Sequence, residues 1–189
     1  MRVNAQVFFV NVTDAEAVAS LPAEVIERHG QVDGVLNVAG IIQPFVHFEE
    51  LAPAQIGRVL SVNFWGVVNM VGAFLPELTA RPRAALLNVS SMGAFIPVPG
   101  QTVYGASKAA VKLLSEGLHA ELRGTSVRVT VVFLGAVATS ITQNSDVHVP
   151  AVAGANDNAG EPEGAHPRGG RLDHHREGDR EGCLPGARR

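Results

Sequence analysis

Short apolar runs alternate along the chain with longer segments in which apolar and polar positions mix. Four runs have the length and the β-branched character of buried strands, and they occupy residues 7–10, 34–38, 84–90 and 127–133. Helices are predicted between them: one opens at Thr13-Asp14-Ala15-Glu16 and stops at His29-Gly30, the next starts near Pro53, and the last covers 102–122. This alternation predicts an α/β fold with a doubly wound parallel sheet.

The most apolar segment, residues 59–75, is interrupted by Ser61, Asn63 and Asn69. These polar positions predict a buried helix rather than a membrane span. The helical segments also contain glycines at positions 66, 72 and 117. Each glycine costs a helix about 1 kcal/mol relative to alanine, so their presence predicts close packing between helices.

The composition changes beyond Val152, where Gly, Arg, Glu, Asp, His and Pro dominate and only Leu172 and Leu184 are large aliphatic residues. Such a segment buries too little apolar area to offset its ordering entropy. We therefore predict one folded domain over 1–149 and a low-complexity, disordered tail over 150–189. A natural tail is one explanation. A shifted reading frame is preferred, because 170–189 can be back-translated so that the next frame encodes an amphipathic helix and a strand.

Net charge and cysteine content indicate which partners and which cellular location to expect. The net charge is -3 with interspersed signs, which predicts neither nucleic acid nor an anionic membrane as a partner. Cys183 is the only cysteine, and the sequence contains no secretory segment, so we expect a cytoplasmic protein. The His174-His175 pair lacks the spacing of a ligand set, and no metal site is predicted.

The strongest candidate for chemistry is the sequence Tyr104-Gly105-Ala106-Ser107-Lys108. Tyr104 is the only tyrosine, and Lys108 and Lys112 are the only lysines. A spacing of four residues places Tyr104 and Lys108 on one helical face, where the ammonium would favour the tyrosinate and make the phenol an acid/base group. The alternative is a surface tyrosine above a solvated lysine.

A second candidate follows the predicted strand at 84–90, where Ser90-Ser91 stands at the strand's carboxyl end. Ligand and catalytic groups gather at this edge of parallel sheets, and a hydroxyl there can bind a substrate oxygen. Ordinary turn chemistry is the alternative explanation for two adjacent serines.

Together these residues resemble the short-chain dehydrogenase/reductase pattern, over roughly residues 7 to 145. The resemblance rests on Ser91, Tyr104 and Lys108, with Asn63 in Ser61-Val62-Asn63 and the sequence Asn37-Val38-Ala39-Gly40. It implies that Tyr104 is the general acid/base, Ser91 orients the substrate oxygen, Lys108 holds the nicotinamide ribose, and Asn63 helps to hold a relay water. It also implies NAD or NADP as cofactor, a small alcohol or carbonyl substrate, and a homodimer or homotetramer.

The resemblance implies a set of cofactor-binding residues and also shows three departures. The set is Asn11, Val12, Asn37, Ala39, Gly40, Tyr104, Lys108, Gly135, Val137 and Thr139. The family's first β-α-β unit with its glycine-rich turn is missing from this sequence, so we expect a Rossmann-like fold that lacks it. Asn11 replaces the aspartate that contacts adenine, and Leu134 replaces a proline in the loop that clamps the carboxamide.

Two functions from different classes follow. The first is a short-chain oxidoreductase that transfers hydride between a nicotinamide cofactor and an alcohol or carbonyl carbon. The second is a non-catalytic remnant that binds no dinucleotide, and the departures favour it for the isolated chain. The sugar-nucleotide epimerase branch shares the Tyr-x-x-x-Lys pair, but it needs a structured C-terminal extension that this sequence does not provide.

Overall fold

The structure is a computed structural model and describes residues 5–135, 137 and 139–147. A parallel three-stranded sheet forms its centre, in the order β1 (Gly34–Asn37), β2 (Ala84–Ser91) and β3 (Val127–Leu134). Val35 pairs with Leu86, and Leu86 pairs with Val129, so each strand contributes one residue to a common buried layer. The parallel sheet confirms the predicted α/β class.

Helices precede, connect and follow the three strands. They are α1 (Ala15–His29), α2 (Pro53–Leu60), α3 (Gly66–Thr79), α4 (Thr102–Glu121) and the short α5 (Ile141–Ser145). The predicted start of α1 is confirmed with Asp14 as its cap, since this side chain accepts hydrogen bonds from the N–H groups of Glu16 and Ala17. The predicted stop is confirmed at Gly30, whose φ of 83° is left-handed.

The core lies between the sheet and one layer of helices. Apolar side chains of α1, α3 and α4 meet the buried layer of all three strands. The main contributors are Leu21, Val35, Phe74, Leu86, Val111 and Val129. Helices α1, α3 and α4 therefore share one face of the sheet, and Leu36, on the other face, is 65% exposed.

The strand predicted at 7–10 is wrong. This segment has no strand structure, and Val7 and Phe9 are 73% and 95% exposed. Among the described residues β1 pairs only with β2, so residues 7–10 have no neighbouring strand to complete their backbone hydrogen bonds. Two of these residues still contribute to the core, because Phe8 and Val10 are partly buried and pack at its margin.

The apolar segment 59–75 belongs to a helical stretch, Pro53–Thr79, that is long and apolar enough to cross a membrane by length and composition. In this fold it is instead the helix that packs on β1 and β2, with Phe74 and Leu78 in the core. A π-helical turn, Ser61–Trp65, separates α2 from α3 within it.

Of the three helical glycines, only Gly66 closely approaches another segment, and that segment is the turn before α1 rather than a helix. A Cβ atom at Gly66 would lie 2.8 Å from Val12 Cγ2. Gly72 and Gly117 have no other group of the described residues within 4 Å of such an atom. The predicted tail, 150–189, lies outside the described residues.

Candidate active site

The two serines at the end of β2 occupy different environments because side chains alternate along a strand. Ser90 is buried, and its hydroxyl donates to the Lys108 carbonyl at 2.8 Å. Ser91 is only half-buried, and its Oγ accepts a hydrogen bond from the Gly93 N–H at 3.1 Å. Among the described residues the Ser91 hydroxyl has no acceptor, so its proton can bind a further oxygen, whereas Ser90 links α4 to the sheet.

The Tyr104 ring lies close to Ser91, and Gly93 separates them. A Cβ atom at Gly93 would lie 3.5 Å from Ser91 Oγ and 3.6 Å from Tyr104 Cε1, so both groups line the same small space. Helix α4 also approaches this turn closely, because a Cβ at Gly105 would lie 3.0 Å from the Gly93 carbonyl. The structure thus brings together a hydroxyl and a phenol from two different elements.

Lys108 lies one helical turn after Tyr104, with its Nζ 5.9 Å from the centre of the tyrosine ring. It is only 4% exposed, and the one hydrogen bond that its ammonium makes within the described residues goes to the Val89 carbonyl at 3.1 Å. No carboxylate of these residues forms a salt bridge with it. Burial without a counterion lowers the pKa of Lys108 to about 8, because a low-dielectric site disfavours the charged form.

Asn63 is completely buried in the π-helical turn between α2 and α3. Its side chain binds the backbone of Ile41 twice, accepting from the N–H at 2.8 Å and donating to the carbonyl at 2.9 Å. It also donates to the Ser107 hydroxyl at 3.0 Å, and that hydroxyl donates to the Tyr104 carbonyl at 2.7 Å. Asn63 therefore links the loop after β1 to the turn of α4 that carries the tyrosine.

Gly40 occupies the space between Asn63 and Lys108. A Cβ atom there would lie 3.2 Å from Lys108 Nζ and 3.6 Å from Asn63 Oδ1. The first distance is shorter than ordinary van der Waals contact, so a side chain at this position would press on the ammonium. The loop after β1 thus depends on a glycine to let the buried cation approach.

A cavity of about 90 Å³ lies between the end of β1 and helix α3. Three predicted cofactor-binding residues line it: Val12, Asn37 and Ala39. The Asn37 side chain itself points to Asn88, to which it donates at 2.8 Å. Asn11 lies in an exposed turn, where its Oδ1 accepts from the Thr13 N–H at 3.1 Å.

Gly135, Val137 and Thr139 follow β3 and are exposed. Thr139 Oγ1 accepts from the Ile141 N–H at 3.3 Å, at the start of α5. No hydrogen bond among the described residues joins these three positions to the Tyr104 group. Nor do the described residues contain a group of three His, Cys, Asp or Glu side chains that could hold a metal ion.

Several buried polar groups were not predicted from the sequence, and two of them are amides that bind helix α4. Gln43, in the loop after β1, accepts hydrogen bonds from the N–H groups of Val103 and Tyr104. Asn88, at the centre of the sheet, donates to the Ser115 hydroxyl of α4 at 2.9 Å. The available signal was a single polar residue within an apolar run, since such a residue must find a partner when it is buried.

The chain is similar to several known proteins. A family model described as short chain dehydrogenase matches residues 2–149. The Mycobacterium tuberculosis protein named "Probable oxidoreductase EphD" is 38% identical over 144 residues, which are 76% of this chain and 24% of that protein. The 1-deoxy-11-beta-hydroxypentalenate dehydrogenase of Streptomyces exfoliatus is 37% identical over 135 residues, 70% of this chain and 49% of that enzyme.

A similar solved structure is that of a Burkholderia phymatum short chain dehydrogenase/reductase in complex with NAD. It has a TM-score of 0.68 and 28% sequence identity, and the match covers 70% of this chain and 48% of that one. This likeness confirms the Rossmann-like fold. The chain spans at most half of the length of each of these three relatives.

Proposed function

This chain belongs to the short-chain dehydrogenase family, and we propose that it acts as an oxidoreductase that interconverts an alcohol and a carbonyl compound with NAD or NADP. One observation carries the proposal: the Ser91 hydroxyl and the Tyr104 ring line one space, beside a buried lysine that has no carboxylate partner among the described residues. A lysine buried only for structure would be expected to have a counterion.

In this proposal each side chain has a distinct role toward the substrate. The Ser91 hydroxyl, whose proton is not used within the site, donates to the substrate oxygen. The Tyr104 phenol exchanges a proton with that oxygen, accepting it when an alcohol is oxidised and returning it when a carbonyl is reduced. The Lys108 cation stabilises the tyrosinate electrostatically, and Asn63 fixes the loop and the helical turn on either side of the pair.

The residues present fit the nicotinamide end of the cofactor. An ammonium group has three donors, and the described contacts of Lys108 use one, so two remain for ribose hydroxyls. Gly40 leaves room beside that ammonium, and Val12, Asn37 and Ala39 line the neighbouring cavity on the proposed adenosine side. We assign Asn11, Gly135, Val137 and Thr139 to the same cofactor by resemblance. The bound nicotinamide would accept or supply the hydride.

We further propose that the protein forms a homodimer or homotetramer in the cytoplasm and acts on a small molecule. Exposed apolar side chains on the helical layer support self-association, since Trp65 and Leu113 are both largely accessible. Light scattering of the purified chain would test this. A monomer at micromolar concentration would contradict the oligomeric part of the proposal.

A direct test compares the 189-residue chain with its Tyr104→Phe variant. Quenching of Trp65, the only tryptophan, reports dinucleotide binding, and the change in NADPH or NADH absorbance reports turnover. We expect both proteins to bind and the variant to lose about 10² to 10⁴ of its turnover, because only the phenolic oxygen is removed. A folded parent chain that binds neither dinucleotide would instead identify the non-catalytic remnant, which the family match does not favour.

A further inference from the structure

We propose that Gln43 is a positioning residue that fixes the first turn of α4 and thereby the place of the Tyr104 phenol. The role assigned to the phenol rests on the proposed function. The contacts of Gln43 do not depend on it, and they reach Tyr104 across 61 positions of the sequence.

Gln43 is 1% exposed, and its side-chain oxygen accepts two hydrogen bonds from the start of α4. The donors are the backbone N–H groups of Val103 at 2.8 Å and of Tyr104 at 3.0 Å. These two donors fix the orientation of the amide, because its NH₂ group would face them unfavourably if it were turned over. A side chain from a distant loop therefore holds the amide of the proposed acid/base residue itself.

Helix α4 needs this external partner because it has no cap of its own. The first N–H groups of a helix have no partner within it, and Gln101, at the capping position, makes no side-chain cap hydrogen bond. Gln101 instead donates to the backbone carbonyl of Gln43 at 2.8 Å, so the two glutamines bind each other's segments reciprocally. Gly100 has a left-handed φ of 78° and lies against the Phe45 backbone. A Cβ atom at this position would be 3.4 Å from that backbone.

The contacts of Gln43 bear on chemistry because Tyr104 and Lys108 are held by different anchors. Lys108 is fixed to β2 through its Nζ, which binds the Val89 carbonyl, and through its own carbonyl, which accepts from Ser90. Tyr104 lies in the first turn, where a helix frays most readily. Loss of the Gln43 contacts would let the tyrosine move while the lysine stays. A displacement of about 1 Å between reacting groups can cost about a hundredfold in rate.

The side-chain amide of Gln43 also lowers stability at one of its atoms, which a role in packing alone would not explain. Within the described residues, Gln43 Nε2 and Gln101 Oε1 are buried and make no hydrogen bond. An unsatisfied buried polar atom costs about 1–3 kcal/mol, which an apolar side chain of similar volume would avoid at Nε2. The favourable contribution of Gln43 therefore comes from its oxygen, which holds the two N–H groups of α4.

The test uses three variants of the full chain. Gln43→Met keeps the volume and removes the acceptor, Gln43→Glu restores an oxygen for the two N–H groups, and Gln31→Met changes an exposed glutamine as the matched control. Two readouts follow each protein: hydrogen exchange at the Val103 and Tyr104 amides, and nicotinamide-linked turnover resolved into kcat and KM.

We expect Gln43→Met to exchange faster at both amides and to lose about tenfold to a hundredfold in kcat with KM changed less than about twofold. Gln43→Glu should recover both the slow exchange and the kcat, and Gln31→Met should match the parent. If Gln43→Met does not fold, the Gln43→Glu variant decides. Parent-like exchange and kcat in that variant support the proposal, and a folded Gln43→Glu protein without turnover overturns it.

The outcomes separate this proposal from the function. An active parent whose Gln43→Met variant keeps its kcat overturns the role of Gln43 and leaves the function standing. A parent without turnover, in which Gln43→Met still speeds exchange at the Val103 and Tyr104 amides, contradicts the function and supports the positioning role.

Discussion

The buried cation of Lys108 should make the folded chain less stable at neutral pH than a variant without it. The pKa of this lysine falls from an ordinary value of 10.5 to about 8 on folding, because burial removes water from the ammonium. A difference of this size corresponds to about 3 kcal/mol between the charged and neutral forms. At neutral pH the lysine is charged in both states, so the folded chain carries this cost in full.

The sign of the pH dependence follows from proton counts. Between about pH 8 and pH 10.5 the unfolded chain holds the lysine proton and the folded chain releases it. The free energy of unfolding should therefore rise with pH across this window, by up to about 3 kcal/mol from this group. Below pH 8 both states are protonated, and Lys108 adds no slope.

The substitution Lys108→Met removes the charge and keeps an unbranched chain of similar length. It also leaves the Val89 carbonyl without the hydrogen bond from Nζ, a loss of about 1 kcal/mol. We expect a net gain of about 2 kcal/mol near neutral pH, and no gain above pH 10.5, where the lysine is neutral in both states. The rise in stability through the window should disappear.

Urea unfolding at several pH values measures these differences. The comparison is best made in a Tyr104→Phe background, which removes the phenol next to Lys108. Lys112→Met is the matched control, since it removes the only other lysine, whose salt bridge with Glu116 at 2.8 Å is partly exposed and contributes at most about 0.5 kcal/mol. A Lys108→Met variant less stable than its parent near neutral pH would refute the reasoning, as would a parent with no rise in stability between pH 8 and 10.5.

Four further substitutions test the packing of the helices and of the site. Gly66→Ala should lower the free energy of unfolding by about 1–3 kcal/mol, because its Cβ would meet Val12 at 2.8 Å, while Gly72→Ala, which has open space, should raise it by up to about 1 kcal/mol. Equal effects in a thermal melt would contradict this difference. Asn63→Ala should cost about 2–4 kcal/mol in urea, since it leaves buried backbone groups of the loop unpaired, and a loss below about 1 kcal/mol would count against that role. Gly40→Ala should reduce turnover at least about tenfold with the fold retained, because its methyl group would lie 3.2 Å from the Lys108 ammonium. Parent-like turnover would show that the loop accommodates the methyl group.

The sequence predicted the elements whose formation depends on local pattern and on caps. Helix α1 begins and ends where its polar start and Gly30 indicate, and the strands β2 and β3 differ from their predicted bounds by one residue. The segment 7–10 failed because a strand requires a neighbour, which its own residues do not specify. The helical glycines could not be told apart for the same reason. Only the fold decides that Gly66 meets another segment and that Gly72 does not.

The sequence likewise predicts some residues of the proposed site and not others. Tyr104 and Lys108 could be placed together from a four-residue spacing, and strand alternation separates Ser91 from Ser90 once the strand is known. Gln43 could not be found in this way. Its partners are backbone N–H groups about sixty residues away, which have no side-chain identity for a sequence pattern to record.

The contacts that build the Tyr104 group come from the segment between β1 and the middle of α4. Its polar supports are Gln43, Asn63 and Ser107, together with the end of β2, and none of their hydrogen bonds to this group involves residues 5–33. None of the hydrogen bonds that hold the tyrosine and lysine therefore comes from the segment that carries Asn11 and Val12. Loss of dinucleotide binding need not remove the buried lysine or its pH-dependent cost. A chain that fails to bind the cofactor but shows the stability rise of Lys108 would have an intact acid/base site without a hydride carrier, and one that lacks both would not have formed the site.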